Sequence, residues 1–119
     1  MATIKSYTDV NQSKKLAEFL PLESADMSWK HYVPDFASEG YGISLDTIEY
    51  NTDIPCWSLA ALLEIIPWGQ VNRMTNSNKW EASSWTNSNF VSEFYVEGYD
   101  NPIDACYEMI LTLKEKGLL

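Results

Sequence analysis

Histidine occurs once, at His31, and cysteine twice, at Cys56 and Cys106, with no Cys-x-x-Cys pair. Three such residues cannot complete a four-ligand zinc site of the usual Cys/His kind. Glycine is scarce, at five residues. None of the five forms a phosphate-binding loop, and Gly40-Tyr41-Gly42 lacks the rest of any nucleotide fingerprint. No Gly-x-Ser-x-Gly or His-Glu-x-x-His string occurs. Long apolar runs are missing too. The longest uncharged one, 54–63, has ten residues and includes Ser58, against about 20 for a membrane-spanning helix. The first seven residues show no apolar stretch of the kind found in a secretory signal. The expectation is a cytoplasmic chain, off the membrane, with its thiols reduced.

Positive charge is also in short supply. Eight Lys and Arg stand against 17 acids, a net charge of −9. Residues 18–64 hold nine of those acids and one base, Lys30. Such a segment repels phosphate, so direct nucleic-acid binding is not expected. It suits a solvated face or a basic protein partner. What the chain has in quantity is apolar and aromatic side chains. Apolar residues make up 45% of 119, and 16 residues are aromatic, enough to build a core and to exclude disorder. One α+β domain over 1–119 is expected.

The hydrophobic pattern places the elements. Residues 10–20 read as an amphipathic helix with Val10, Leu16, Phe19 and Leu20 on one face, capped by Asp9 or Asn11 and stopped by Pro21. Residues 27–33 alternate as a strand. Pro34 and Gly40-Tyr41-Gly42 read as a loop, and 43–50 as a returning strand. Asp53-Ile54-Pro55 reads as a helix start, with Asp53 as N-cap and Pro55 in the first turn. Cys56, Leu59, Ala60, Leu63 and Ile66 would then form its apolar stripe, widened by Trp57, Leu62 and Ile65. The polar stretch 69–89 contains a strand over 79–86, which 90–97 joins as a hairpin. The last helix follows Asp100 or Asn101 as cap, with Pro102 in its first turn and Gly117 at its C-cap. The expected fold is an antiparallel sheet of three to four strands, with about three helices packed mainly on one face. Residues 25–67 and 77–119 share the order strand, strand, helix, a candidate ββα pseudo-repeat.

Three segments together carry a resemblance: KKLAEFLPLESADM over 14–27, DIPCWSLAALL over 53–63 and DNPIDACYEMI over 100–110. They resemble a group of small proteins encoded in Bacteroides-type gut bacterial genomes, often among prophages or mobile elements. The resemblance covers both chain ends and the middle helix. It implies a cytoplasmic accessory protein of bacterial or phage origin and assigns no activity, cofactor or site residue.

Candidate chemistry is sparse. Cys56 in a helical first turn would have a lowered thiol pKa, and His31 could serve as its base. Against this, Cys56 lies on an apolar stripe, where a thiol behaves as a small hydrophobe. Asp46, Glu49 and Asp53 cluster, but without the glycine and alternating ligands of a calcium loop. No metal or cofactor is expected. Of five tryptophans, Trp68 after Pro67 and Trp85 beside the hairpin turn are placed for exposure. The leading expectation is a non-enzymatic protein-binding module. Its candidate binding residues are Trp68, Trp85, Asp35, Asp46 and Glu49, and its partner is a basic protein or a second copy in a homodimer. The alternatives are an acidic mimic that occupies a nucleic-acid-binding protein and a small Cys-dependent enzyme.

Overall fold

Asp9 opens the first helix, α1 (Val10–Ala17), through a capping box. Its carboxylate accepts the Gln12 N–H at 2.7 Å, and the Gln12 side chain accepts the Asp9 N–H at 3.1 Å. The computed structural model describes residues 5–32, 40–44, 53–75, 77–85 and 94–119. These form two compact units, Tyr7–Ser58 and Leu59–Leu119, the latter together with the N-terminal residues through Ser6. The class is α+β, as the sequence implies. Its strands divide into two three-stranded antiparallel sheets. No helix among the described residues is long and apolar enough to cross a membrane.

In the Tyr7–Ser58 unit, β1 (Met27–Tyr32) is central, flanked by β2 (Gly40–Ser44) and β3 (Ile54–Cys56). Two readings are corrected here. Gly40-Tyr41-Gly42 is strand, because β1 pairs it residue for residue (Lys30 with Gly42, Tyr32 with Gly40). Ile54-Pro55-Cys56 is also strand and not the first turn of a helix, because Met27 pairs with Cys56 and Trp29 with Ile54. Pro55 is tolerated because β3 lies at the sheet edge, where one N–H faces no neighbour. Asp53 therefore caps no helix. It is buried, and its Oδ2 takes the Lys30 ammonium at 2.8 Å. α1 packs against β3, and Leu16, Leu20, Met27, Cys56 and Trp57 form the core. The expected strand 43–50 is present through Ser44; 45–50 lie outside the described residues.

In the Leu59–Leu119 unit, the middle helix α2 (Leu59–Ile65) begins later than its sequence suggests. Its buried residues are Ala61 and Leu62, with Ile66 just beyond, while Ala60 is exposed. Leu62 and Ile66 face inward as expected, whereas Ala61 and not Ala60 turns to the core. A strand follows that the polar sequence hides, β4 (Gln70–Arg73). It pairs with β5 (Trp80–Ser84), which pairs in turn with β6 (Phe94–Tyr99) as the expected hairpin. Gly98, at φ +91°, is the extra residue of a bulge where the register shifts between Trp80 and Glu81. The last helix, α3 (Pro102–Glu115), starts as expected: Asn101 Oδ1 accepts the Asp104 N–H at 2.8 Å and Pro102 opens the first turn. Gly117 at φ +76° follows the helix end. α3 covers all three strands, and α2 packs chiefly against α3.

Three strands and a helix thus occur twice in order. The first sheet has its first strand in the middle, and the second has its second.

Candidate functional site

The turn between α2 and β4 is built from Ile66-Pro67-Trp68-Gly69. The Gly69 N–H donates to Ile66 O at 2.9 Å and closes it. Pro67 pre-sets the second position. The third position needs positive φ in a turn of this kind and normally takes Gly or Asn. Here it is Trp68, at φ +50°. An L-residue in this region costs about 1–2 kcal/mol. Two contacts hold the turn in place. The buried Ser84 hydroxyl, from β5, donates to Pro67 O at 2.7 Å. Gly69 allows the chain to pass Ile66, since a Cβ at 69 would stand 2.7 Å from Ile66 Cβ. The result is a Trp side chain 53% exposed on a doubly tied turn.

A second feature of the same unit is the sheet face opposite α3. Ala82 and Ser84 are buried and Val96 half-buried, on the side that α3 covers. The other side carries Gln70 and Asn72 from β4, Glu81 and the buried Ser83 from β5, and Tyr95 and Glu97 from β6. Gln70, Tyr95 and Glu97 are exposed, and Tyr95 retains 50% of its surface in solvent. The Tyr95 hydroxyl lies 2.6 Å from Glu81 Oε2 and 2.7 Å from Glu97 Oε2. These hydrogen bonds, to Glu81 first and Glu97 second, push the phenol well above its ordinary pKa.

The other candidates fare differently. Trp85, one residue past β5, is half-buried. Asp35, Asp46 and Glu49 lie outside the described residues. Asp53 is turned inward to Lys30, which removes it from any exposed acidic face. Cys56 sits in a strand, so no helix dipole acts on it. Its Sγ donates to Thr8 O at 3.4 Å and accepts from Thr8 Oγ1 at 3.6 Å. Burial pushes the thiol up, opposed by hydrogen bonds from Thr8 and Ser13. Burial alone pushes Cys106 up to about 12. Both cysteines are free and buried, as expected. A thiol with a raised pKa is the opposite of an activated nucleophile.

An open cleft of about 430 Å³ is lined by Arg73, Met74, Ser77 and Asn78. Its guanidinium is already bound: Arg73 Nε donates to Ser77 O at 3.4 Å and Nη2 to Asn78 Oδ1 at 3.0 Å. Among the described residues, no group of three or more His, Cys, Asp or Glu is placed to hold a metal ion.

No protein-family model, curated protein or solved structure matches the chain.

Proposed function

We propose that this chain is a non-enzymatic protein-binding module, a cytoplasmic accessory protein of the kind its sequence resemblance implies, with Trp68 as anchor. The observation that carries the reading is the Trp68 turn. A large aromatic at positive φ, half in solvent, works against local folding preferences. Strain of this kind persists where the surrounding structure over-determines it, and it concentrates at sites of function. Tryptophan is also the residue type most enriched among the dominant contacts of protein interfaces. The Cys-dependent enzyme has no such support, since Cys56 is buried with its thiol pushed up. The acidic mimic loses Asp53 to an inward ion pair.

The test is affinity capture from the native host with the wild-type chain, Trp68→Ala and Trp68→Gly, followed by calorimetry on the purified partner. The reading expects a discrete partner whose affinity falls at least about 30-fold in both variants, the range of an interface anchor. A partner that both variants hold as tightly as the wild type refutes it.

A further inference from the structure

β4 ends on Arg73, the only arginine of the chain. The Met74 N–H donates to Lys79 O at 2.9 Å and closes the loop that leads to β5. Within that loop, Arg73 Nε and Nη2 donate to Ser77 O and Asn78 Oδ1. These two nitrogens share one edge of the planar guanidinium, so the loop fixes the group by that edge. The far end, Nη1 with the second Nη2 hydrogen, keeps its donors. Ser77 and Asn78 follow the same rule. Ser77 Oγ accepts the Lys79 N–H at 3.0 Å and keeps its own proton to give. Asn78 uses its side-chain oxygen on Arg73 and keeps its amide hydrogens. Hydrogen bonds inside the loop thus consume acceptors and leave donors. The described lining of the 430 Å³ cleft is a guanidinium, a hydroxyl, an amide and the Met74 thioether, with no carboxylate. In a chain of 17 acids this is a local reversal of sign. The ion pairs among the described residues join Lys5 to Asp104, Lys15 to Glu18, Lys30 to Asp53 and Lys79 to Asp100, and none of them neutralises Arg73.

We propose that this cleft binds a carboxylate group, that of a small organic acid or of a peptide's free C-terminus. The site goes beyond the Trp68 reading and does not depend on it. A carboxylate offers two coplanar oxygens, the match for the two parallel N–H donors at the end of a guanidinium. Its single charge balances the single cation of the lining. A phosphate dianion would bring one charge in excess to a protein of net −9, and a cation would meet a like charge. Because the loop already holds the guanidinium, a ligand does not have to order it. The volume falls within the range of small-molecule sites, about 300–1,000 Å³. Met74 offers a polarizable apolar surface, which favours an aromatic acid over acetate.

The experiment uses the full chain, labelled with ¹⁵N, titrated with acetate, benzoate, inorganic phosphate and acetylated trialanine as the free acid and as the amide. Backbone amide signals and the Arg73 Nε–H signal are followed. Saturable shifts are expected at Arg73, Met74, Ser77 and Asn78, with a benzoate Kd of about 1 mM. Benzoate should bind more tightly than acetate or phosphate, and the trialanine acid more tightly than its amide. The tighter of benzoate and the trialanine acid names the source of the carboxylate. Asn78→Asp is the decisive variant. It keeps an oxygen for Arg73 Nη2, so the loop stays fixed, and it places a carboxylate in the cleft. Affinity for both acids is expected to fall at least about tenfold, in the range of charge-pair losses at interfaces. Arg73→Lys keeps the charge, loses the fork and should weaken binding comparably. Lys116→Gln, at an exposed site at the end of α3, leaves the affinity unchanged. Shifts that do not saturate or that spread over the lysines overturn the proposal. So do phosphate binding more tightly than benzoate, a trialanine amide equal to the acid, or an Asn78→Asp variant within about twofold of the wild type.

Discussion

In the Tyr7–Ser58 unit, Thr8, Ser13, Ser28 and Asp53 are buried. Thr8 Oγ1 alone meets the Trp57 N–H at 3.2 Å, Ser13 Oγ at 2.8 Å and Cys56 Sγ at 3.6 Å. The Leu59–Leu119 unit also buries Ser83 and Ser84, but there Glu81, Tyr95 and Glu97 gather on the side away from α3 of a sheet of the same size, and Trp68 stands out on a strained turn. Polar groups that are buried and fully hydrogen-bonded fix one arrangement of the chain around them. Opposed carboxylates and an exposed tryptophan at positive φ do nothing of the kind. Local cost of this kind is what the proposed partner-binding role would lead one to expect.

The severest test of the inward unit is Trp57→Ala. Trp57 is fully buried and donates its indole N–H to Ser24 Oγ at 2.9 Å. Truncation should cost about 4 kcal/mol in chemical denaturation, a large share of an ordinary domain's stability. A loss below about 1 kcal/mol would mean that this core is not set by Trp57.

Thr8→Val sharpens the contrast at constant shape. It strands the Trp57 N–H and the Ser13 hydroxyl and should cost about 2 kcal/mol. Tyr95→Phe, on the displayed face, should stay within about 0.5 kcal/mol of the wild type. Equal losses from the two would erase the distinction between the units.

The thiols give a pH signature. Burial holds Cys106 at about 12, against 9 for the ordinary thiol, and raises Cys56 as well. A folded value above the unfolded one means that the unfolded chain releases the proton first. Stability is therefore fully present below pH 9 and declines as pH rises from 9 toward 12. The expected slope is about 1.4 kcal/mol per pH unit for each fully protected thiol. Cys106→Ala should make it shallower, leaving the part that comes from Cys56 and the raised phenols of Tyr95 and Tyr99. Labelling of both thiols should be slow in the native state and fast in denaturant, and rapid native labelling of Cys56 would restore the enzyme reading.

The smallest effect concerns backbone strain. Trp68→Ala and Trp68→Gly lose the same ring, but only glycine accepts positive φ freely. The glycine variant should be the more stable by about 1 kcal/mol. Equal stabilities would show that the turn rearranges when the ring is removed.

Elements written in short local signals were legible from the chain. Asp9 and Asn101 cap their helices, and Pro102 opens α3, because caps and prolines act within one turn. Elements made by pairing were not. Gln70-Val71-Asn72-Arg73 has one apolar residue and becomes a strand only beside β5. Asp53-Ile54-Pro55 fits a helix start and an edge strand equally, and β1 decides between them. Trp68 was legible because Pro-Trp-Gly marks a turn. The Glu81–Tyr95–Glu97 constellation was not. It depends on the register of β5 and β6, where a slip of one residue turns every side chain to the other face.

The central claim is that the displayed surface serves a partner and not the fold. Its most direct measurement is calorimetric titration of the captured partner into Trp68→Gly, with chemical denaturation of the same sample in parallel. The account expects a cooperatively folded variant whose affinity has fallen at least about 30-fold. A folded Trp68→Gly that binds the partner as tightly as the wild type would contradict it.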